Sequence, residues 1–301
     1  MSGIEVRPFR RSDRQQLTDL VNAHVQAVVP GVSVSVNAVL SQLEREPGEV
    51  VVDQWVVERV TLVGEQRGRL VAAAHVLRYG SGPDVGRALR GAAEIRWLLC
   101  ARDAPFWPDA SAAGLAVAEA AVARMRAWRP ARIGADGTLP APGVYGIPEQ
   151  WPHVADLLSR VGFRRGGRAE IVLLADVAAL ARPAPPPGLR VVRTLGTAGT
   201  RLAAVRGECE LGFVEVDNGI GGSGAIAGHP GWADVGNLLV QEAHRGRGVG
   251  SWLLGEAAEW LRLGRVERLL GYADRGAPGF LERSGFRRLT ETVRDWEMPA
   301  V

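Results

Sequence analysis

Apolar positions alternate over residues 4–9, "IEVRPF", and then switch to a period near 3.6, with Leu17, Leu20, Val21, Val25 and Val28 on one helical face. This predicts a short strand followed by a helix, with Ser12 as N-cap and Gln15 completing a capping box. A second helix is expected over 37–46, stopped by Pro47 and Gly48. Runs at 58–65 and 70–79, joined through Gly68, read as a strand pair, and 94–100, "EIRWLLC", as a buried strand. The Ala-rich stretch 111–128 and "HVADLLSRVGF" supply two more helices.

The pattern then restarts. "ARPAPPPGL", residues 181–189, holds four prolines and reads as an extended, semi-rigid linker. On either side of it, three stretches match in the same order: "IEVRPFRRSD" with "LRVVRTLGTA", "AEIRWLLC" with "ADVGNLLV", and "LLSRVGFRR" with "FLERSGFRR". The chain therefore reads as a tandem duplication, with domains at 1–180 and 189–301 and a linker at 181–188. The second copy is the shorter one. The interval from Leu189 to Ala233 is about half that from Ile4 to Ala93, and the missing length is that of the two N-terminal helices. What remains there is a turn and a hairpin tipped by Gly207 and Glu208.

Composition narrows the function without naming it. Of 301 residues, 47% are hydrophobic and 23% charged, the balance of a soluble globular chain. The net charge of +3 is carried by arginines interleaved with Asp and Glu, and no lysine occurs. Clustered basic residues and stacking aromatics are missing, so a nucleic-acid partner is not expected. Cys100 and Cys209 form neither a metal-ligand spacing nor a disulfide framework, and both read as small buried apolar residues. No metal is expected. The N-terminus lacks an apolar signal core and "EIVLLADVAALA" is too short to span a bilayer, so the expectation is a cytoplasmic monomer or homodimer.

The chemistry concentrates in "NLLVQEAHRGRGVGSWLLGEAAEWL", residues 237–261. An apolar strand ends at Val240, a loop of arginines and glycines follows, and from Val249 the positions Trp252, Leu253, Ala257, Trp260 and Leu261 recur at helical spacing. A glycine-rich turn opening a helix is an anion site, because the first helical amides lack internal partners and the macrodipole is positive there. Glycines let backbone approach phosphate oxygens closely. The nucleotide P-loop needs a lysine that this chain lacks, and the dinucleotide fingerprint fits poorly to Gly246, Gly248 and Gly250.

Arg245-x-x-Gly248-x-Gly250 after an apolar strand resembles the signature loop of the GNAT acyltransferases, which wraps the pyrophosphate of acetyl-CoA. The resemblance continues through "YADRGAPGFLERSGFRR", where Asp274, Ala277, Phe280, Leu281, Gly285 and Phe286 stand at the family's positions. It is close over residues 232–286 and covers only element order in the first half. It implies α/β (α+β) architecture, with two tandem domains, each a central mixed, mostly antiparallel sheet flanked by helices. It also implies acetyl-CoA as co-substrate. Leu238, Leu239 and Val240 would lie along the pantetheine arm, where the strand splays from its neighbour and one freed amide polarises the thioester carbonyl. Gly246, Arg247, Gly248, Val249, Gly250 and Ser251 would take the pyrophosphate with Arg245, and Asp274 and Phe280 would contact the cofactor.

Two departures matter. Leu281 stands where the family's tyrosine protonates the leaving thiolate, which leaves Tyr272 as a substitute acid. For the general base, Asp234 is the first candidate, with Glu215, Asp217 and His229 as alternatives. The counterpart loop of the first half, "ARDAPFWPDASAAG", carries Pro105, Pro108, Asp103 and Asp109, which suit a diphosphate badly, and Leu158 again replaces the tyrosine. The first domain is therefore expected to be structural, with Glu94, Trp97 and Tyr79 contributing at most indirectly. The reading is acetyl transfer from acetyl-CoA to a primary amine on a small molecule or peptide, by direct attack in a ternary complex. Its rivals are a non-catalytic acyl-CoA sensor, transfer of a longer acyl chain, and acetylation of an amino-sugar thiol precursor as in the mycothiol synthases, which share a tandem plan with one working half.

Overall fold

The computed structural model describes residues 3–44, 55–102, 109–217, 230–276 and 278–299. The chain forms two compact units, Met1–Ala169 with Glu291–Val301, and Glu170–Thr290. The first unit runs β1 (Glu5–Pro8), α1 (Arg14–Val28), α2 (Val36–Leu43), β2 (Val56–Gln66), β3 (Arg69–Tyr79), β4 (Ala92–Cys100), α3 (Ala110–Ala127), β5 (Arg132–Ala135), β6 (Ile147–Pro148), α4 (Pro152–Arg160) and β7 (Arg164–Arg165). The expected face of α1 is buried: Leu17, Leu20, Val21, Val25 and Val28 all lie in the core. Its start differs from the sequence expectation. Asp13, not Ser12, precedes the helix, and its carboxylate accepts from the Arg10 amide at 2.8 Å and from Arg7 at 2.7 and 2.9 Å. A buried arginine on β1, six residues upstream, attracts the carboxylate more strongly than a serine hydroxyl attracts a helix amide. Ser35 caps α2 through the Ala38 amide; the stop expected at Pro47 and Gly48 lies outside the described residues.

The second unit contains β8 (Ala169–Asp176), β9 (Arg190–Gly196), β10 (Gly199–Arg206), β11 (Cys209–Asp217), β12 (Trp232–Val240), α5 (Val249–Leu263), β13 (Arg268–Asp274), α6 (Gly279–Arg283) and β14 (Arg287–Val293). Its strands run in the order β14-β8-β13-β12-β11-β10-β9. One sheet face buries Leu173, Leu202, Val214, Ala233 and Leu269 against Trp252, Leu253, Ala257 and Leu261 of α5, the helical positions foreseen from the periodicity. Gly207 and Glu208 do connect the β10–β11 hairpin, and Cys100 is buried, but Cys209 is exposed at the first position of β11. Strand ends face solvent, so apolarity there does not imply burial.

The compact units do not follow the proline-rich segment. Residues 170–180, assigned by sequence to the first domain, belong to the second unit: β8 pairs with β13 antiparallel from Arg268↔Asp176 to Asp274↔Glu170. The C-terminal residues go the other way. β15 (Trp296–Glu297) pairs with β5 and β7, and the end of β14 pairs with β6, all within the first unit. The first unit's sheet is thus β1-β2-β3-β4-β5-β15-β7. With β8 next to β13 and β9 at the far edge, residues 181–189 become an internal strap of the second unit. A Cβ on Gly255 would meet the Ala181 carbonyl at 3.0 Å and Pro183 at 3.2 Å, so the strap lies on α5 at a glycine. Prolines suit that path because they bring no amide that needs an acceptor.

This exchange has a measurable consequence. A fragment covering 189–301 lacks the strand that pairs along the whole of β13, and it is expected to give a collapsed, poorly dispersed amide NMR spectrum. A fragment covering 168–290 is expected to give a dispersed one. A dispersed spectrum from 189–301 alone would contradict the assignment of β8 to the second sheet.

Candidate active site

β12 and β13 run parallel and pair only over Trp232–Asp234 and Arg268–Leu270, after which they part. Beyond that point β13 continues against β8, while β12 continues against β11 alone. The Gln241 amide donates to Leu211 at 2.9 Å, and its partner register makes Leu239 and Asn237 bond toward β11 as well. By strand alternation, Leu238 and Val240 turn their N–H and C=O groups into the opening. Leu239 is 49% exposed and Leu238 and Val240 are half-buried against the core. The splay expected at these three residues is therefore present.

At the strand's end the chain turns into α5 through Arg245, Gly246, Arg247 and Gly248. Gly246 and Gly248 have φ of +71° and +80°, and a Cβ at either would meet nothing within 4 Å, so backbone is bare on both. Gly248 is the N-cap and has no side-chain capping bond; the first turn closes with Trp252 N–H to Gly248 C=O at 3.0 Å. The amides of Gly250 and Ser251 thus open the helix with no intrahelical acceptor. Val249 is buried, and Gly250 packs under Phe280, whose ring would lie 3.1 Å from a Cβ there. Arg245 turns back so that its Nε donates to the Val240 carbonyl at 3.0 Å, which fixes the loop to the strand. Arg247 is exposed. Asp274 is exposed at the end of β13, across from Glu170 in the β8–β13 register.

On the sheet face opposite α5, β11 and β12 carry the polar residues Glu215, Asp217, Asp234 and Asn237. Asp234 is half-buried there, opposite Asp217 in the β11–β12 register, and the Tyr272 side chain hydrogen-bonds to its carboxylate. Burial, reinforced by the like charge of Asp217, pushes the Asp234 carboxyl up to about 6, against the smaller opposing effect of the Tyr272 bond. Two of the three catalytic candidates, 38 positions apart in the sequence, therefore form a pair at the point where β12 and β13 separate.

Glu215 occupies a different environment. It is only 2% exposed and accepts from Asn237 Nδ2 at 2.7 Å, Arg201 Nη1 at 3.0 Å and the Ala198 amide at 3.2 Å. Burial alone would raise its carboxyl, but these donors outweigh it and hold it below the ordinary carboxylate range. A carboxylate so stabilised is a poor proton acceptor near neutral pH, which argues against its expected role as general base. Arg201, its ion-pair partner, also pairs with Glu210 at 2.7 Å and lies 3.4 Å over the Phe213 ring. Neither Arg201 nor Asn237 stood out in the sequence. Their only signal is a polar residue on the outward phase of an otherwise apolar strand.

The corresponding place in the first unit is filled. β4 and β5 also pair briefly in parallel, over Ala92–Ile95, yet Trp97, Leu98, Leu99 and Cys100 beyond that point are at most 1% exposed. A Cβ on Gly114 would come within 2.8 Å of Leu157 from α4 and press on Cys100, so helix packing closes the cleft. Leu158 and Leu281, at the two tyrosine positions, are both buried. Glu94, the counterpart of Asp234, is raised by burial and lies among Arg96, Tyr79 and Asp136. The first unit also holds a cavity of about 660 Å³ lined by Trp55, Tyr79, Trp128 and Arg129; it opens beside Gly91 and Ala131, where β4 and β5 begin, and is no counterpart of the cleft. Asp109 precedes α3 without capping it, while His229, Ala277, Asp103, Pro105 and Pro108 lie outside the described residues. Among the described residues, no group of three or more His, Cys, Asp and Glu could hold a metal ion, and no helix is long and apolar enough to cross a membrane.

The fold is similar to that of known proteins. Residues 208–288 match the family model of the acetyltransferase (GNAT) domain. No curated protein sequence matches the chain. Among solved structures, a tandem GNAT protein from the clavulanic acid biosynthesis pathway is similar over 99% of this chain and 100% of its own, with a TM-score of 0.63 and 17% identity. A GCN5-related N-acetyltransferase from Sphaerobacter thermophilus is similar over 99% and 97%, with a TM-score of 0.63 and 16% identity. A GCN5-related glucosamine N-acetyltransferase region of a fungal multi-domain GH3 β-N-acetylglucosaminidase gives a TM-score of 0.64 at 13% identity; this chain spans 38% of that protein.

Proposed function

We propose that this chain, a tandem member of the GNAT superfamily with a GNAT-type acetyltransferase domain in its second unit, moves an acetyl group from acetyl-CoA to a primary amine at the β12–β13 opening. The observation that carries the reading is the splay itself, with a bare glycine turn at one end and a carboxylate of raised pKa at the other. Acetyl-CoA would supply an activated thioester. The residues present fit such a group: open backbone at Leu238 and the Val240 amide for the pantetheine arm, and Gly246, Gly248, Gly250 and Ser251 at a helix N-terminus for the diphosphate. Arg247 adds positive field there, and Arg245 holds the loop in place.

The chain's own groups then divide the work. Asp234 accepts the proton of an incoming ammonium, which frees the nitrogen lone pair to attack. The inward amides of Leu238 and Val240 offer donors where the carbonyl oxygen gains charge. Tyr272, bonded to Asp234, orients that carboxylate and gives a proton to the departing thiolate. Direct attack requires both substrates at once, so the acceptor enters on the polar face beside Asp217 and Asp234, whose charges favour a cation. The first unit, with its cleft filled, takes no acetyl-CoA.

The test is release of free CoA thiol from acetyl-CoA across a panel of amines that includes glucosamine, lysine-bearing peptides and diamines, with the acetyl amide identified by mass spectrometry. Acetyl amide formation with any of them supports the reading. The buried leucines at both tyrosine positions favour one second reading, an acyl-CoA sensor, in which acetyl-CoA binds and no amine in the panel is acetylated.

A further inference from the structure

In each unit one strand carries a single extra residue at the same place. The register of β4 shifts at Arg96, between the pairs Val76↔Ile95 and His75↔Trp97. That of β12 shifts at Gly236, between Val216↔Val235 and Glu215↔Asn237. These bulges lie two residues beyond Glu94 and Asp234, where the following strand departs. A bulge increases local twist and re-aims the residues after it. What braces it differs between the units. In the first, His75 and Trp97 stack at 5.5 Å, and Gln42 of α2 accepts from Trp97 Nε1 at 2.9 Å.

Among the described residues the second unit has no helix at that place, and a turn stands there instead. Residues 196–199, between β9 and β10, fold over β11 as far as the bulge. A Cβ on Gly236 would collide with Ala198, one on Gly196 would lie 2.5 Å from the Glu215 carboxylate, and one on Gly199 would collide with the Val216 carbonyl. Through this closely fitted turn the Ala198 amide reaches Glu215, and Glu215 holds Asn237, the first residue after the bulge. Leu238 follows directly, and its amide faces the opening.

We propose that Glu215 and Asn237 are positioning residues: the turn at 196–199 locks Glu215, Glu215 locks Asn237, and the locked bulge aims the Leu238 and Val240 amides at the thioester carbonyl. The inference rests on the acetyl-CoA site proposed above and adds to it the device that sets its geometry. It also gives the shortened second copy its replacement for α2, since the turn braces the same register pair that Gln42 braces in the first. Neither residue touches the reacting atoms, so their effect is on the polarisation of the carbonyl and not on the grip on CoA.

The experiment is isotope-edited infrared difference spectroscopy of [1-¹³C]acetyl-CoA bound to the full-length protein, with CoA affinity measured in parallel. Wild type is expected to move the carbonyl stretch to lower frequency. Asn237→Ala, at an exposed position, and Asn237→Asp, which sets a second carboxylate against Glu215, are expected to lose most of that shift while CoA binds as before. Glu215→Gln keeps its shape and its bond from the Ala198 amide, and an intermediate shift is expected. With an identified acceptor, kcat in Asn237→Ala is expected to fall by about 10²-fold at unchanged KM for acetyl-CoA, as for other small misplacements of a catalytic group. A wild-type carbonyl shift in variants that bind CoA would overturn the positioning role and leave the acetyl-CoA site standing. Absence of acetyl-CoA binding by the wild type would overturn both.

Discussion

Asp234→Asn is expected to lower kcat/KM for amine acetylation by about 10²–10⁴-fold near neutral pH, the usual range for loss of a positioned general base. The pH profile identifies the group. In the wild type the rate should rise through pH about 6, where Asp234 ionises, and level off above it. That acidic limb should vanish in Asp234→Asn. Asp217→Asn removes the like charge opposite Asp234, so the limb should move to lower pH while the plateau persists. Stability provides the control, and its sign is opposite to that of an ion-paired carboxylate. A carboxyl raised in the folded state contributes most at low pH, and that contribution is lost as pH climbs from the unfolded value near 4 toward 6. Asp234→Asn should therefore melt no lower than wild type at pH 7. An activity loss accompanied by a lower melting temperature would point to a structural role instead.

Gly248→Glu is expected to reduce acetyl-CoA affinity by at least about 10²-fold, the magnitude at which a few charge-assisted amide contacts are lost together. Gly248 has φ of +80° and open space around the position of a Cβ. A side chain there pays on the order of 1–2 kcal/mol of backbone strain but meets no clash, so the protein still folds. The new carboxylate would stand at the helix N-terminus proposed to take the diphosphate. Gly248→Ala carries the same strain without the charge, and a much smaller loss is expected. Calorimetry on both variants separates electrostatic exclusion from loop distortion; equal losses would mean that conformation, not charge, governs the site.

Much of this site was legible along the chain because it is local. The loop from Arg245 to Ser251 lies between an apolar strand and a periodic helix, and both elements formed where their patterns placed them. The helix faces of α1 and α5 were legible for the same reason. What escaped depends on contacts between distant segments. Glu215 reads as a carboxylate near a strand end, hence a candidate base; only its register opposite Asn237 and its ion pair with Arg201 reveal a clamped residue. Asp234 and Tyr272 were each recognisable, but not as a hydrogen-bonded pair. The exchange of β8 and β15 leaves no local trace at all, because an apolar strand carries the same pattern whichever sheet receives it. The prolines at 181–189 marked a real change of direction, yet the chain changes direction inside one unit. Proline excludes ladder pairing without saying which elements lie on either side.

The central claim is that a single cleft, in the second unit, takes acetyl-CoA. Calorimetric titration of the intact protein with acetyl-CoA tests it most directly. One site per chain is expected, with affinity in the micromolar range common for enzyme substrates. No binding would contradict the claim outright, and two sites per chain would contradict it by placing a second cofactor where Trp97, Leu98, Leu99 and Cys100 are buried.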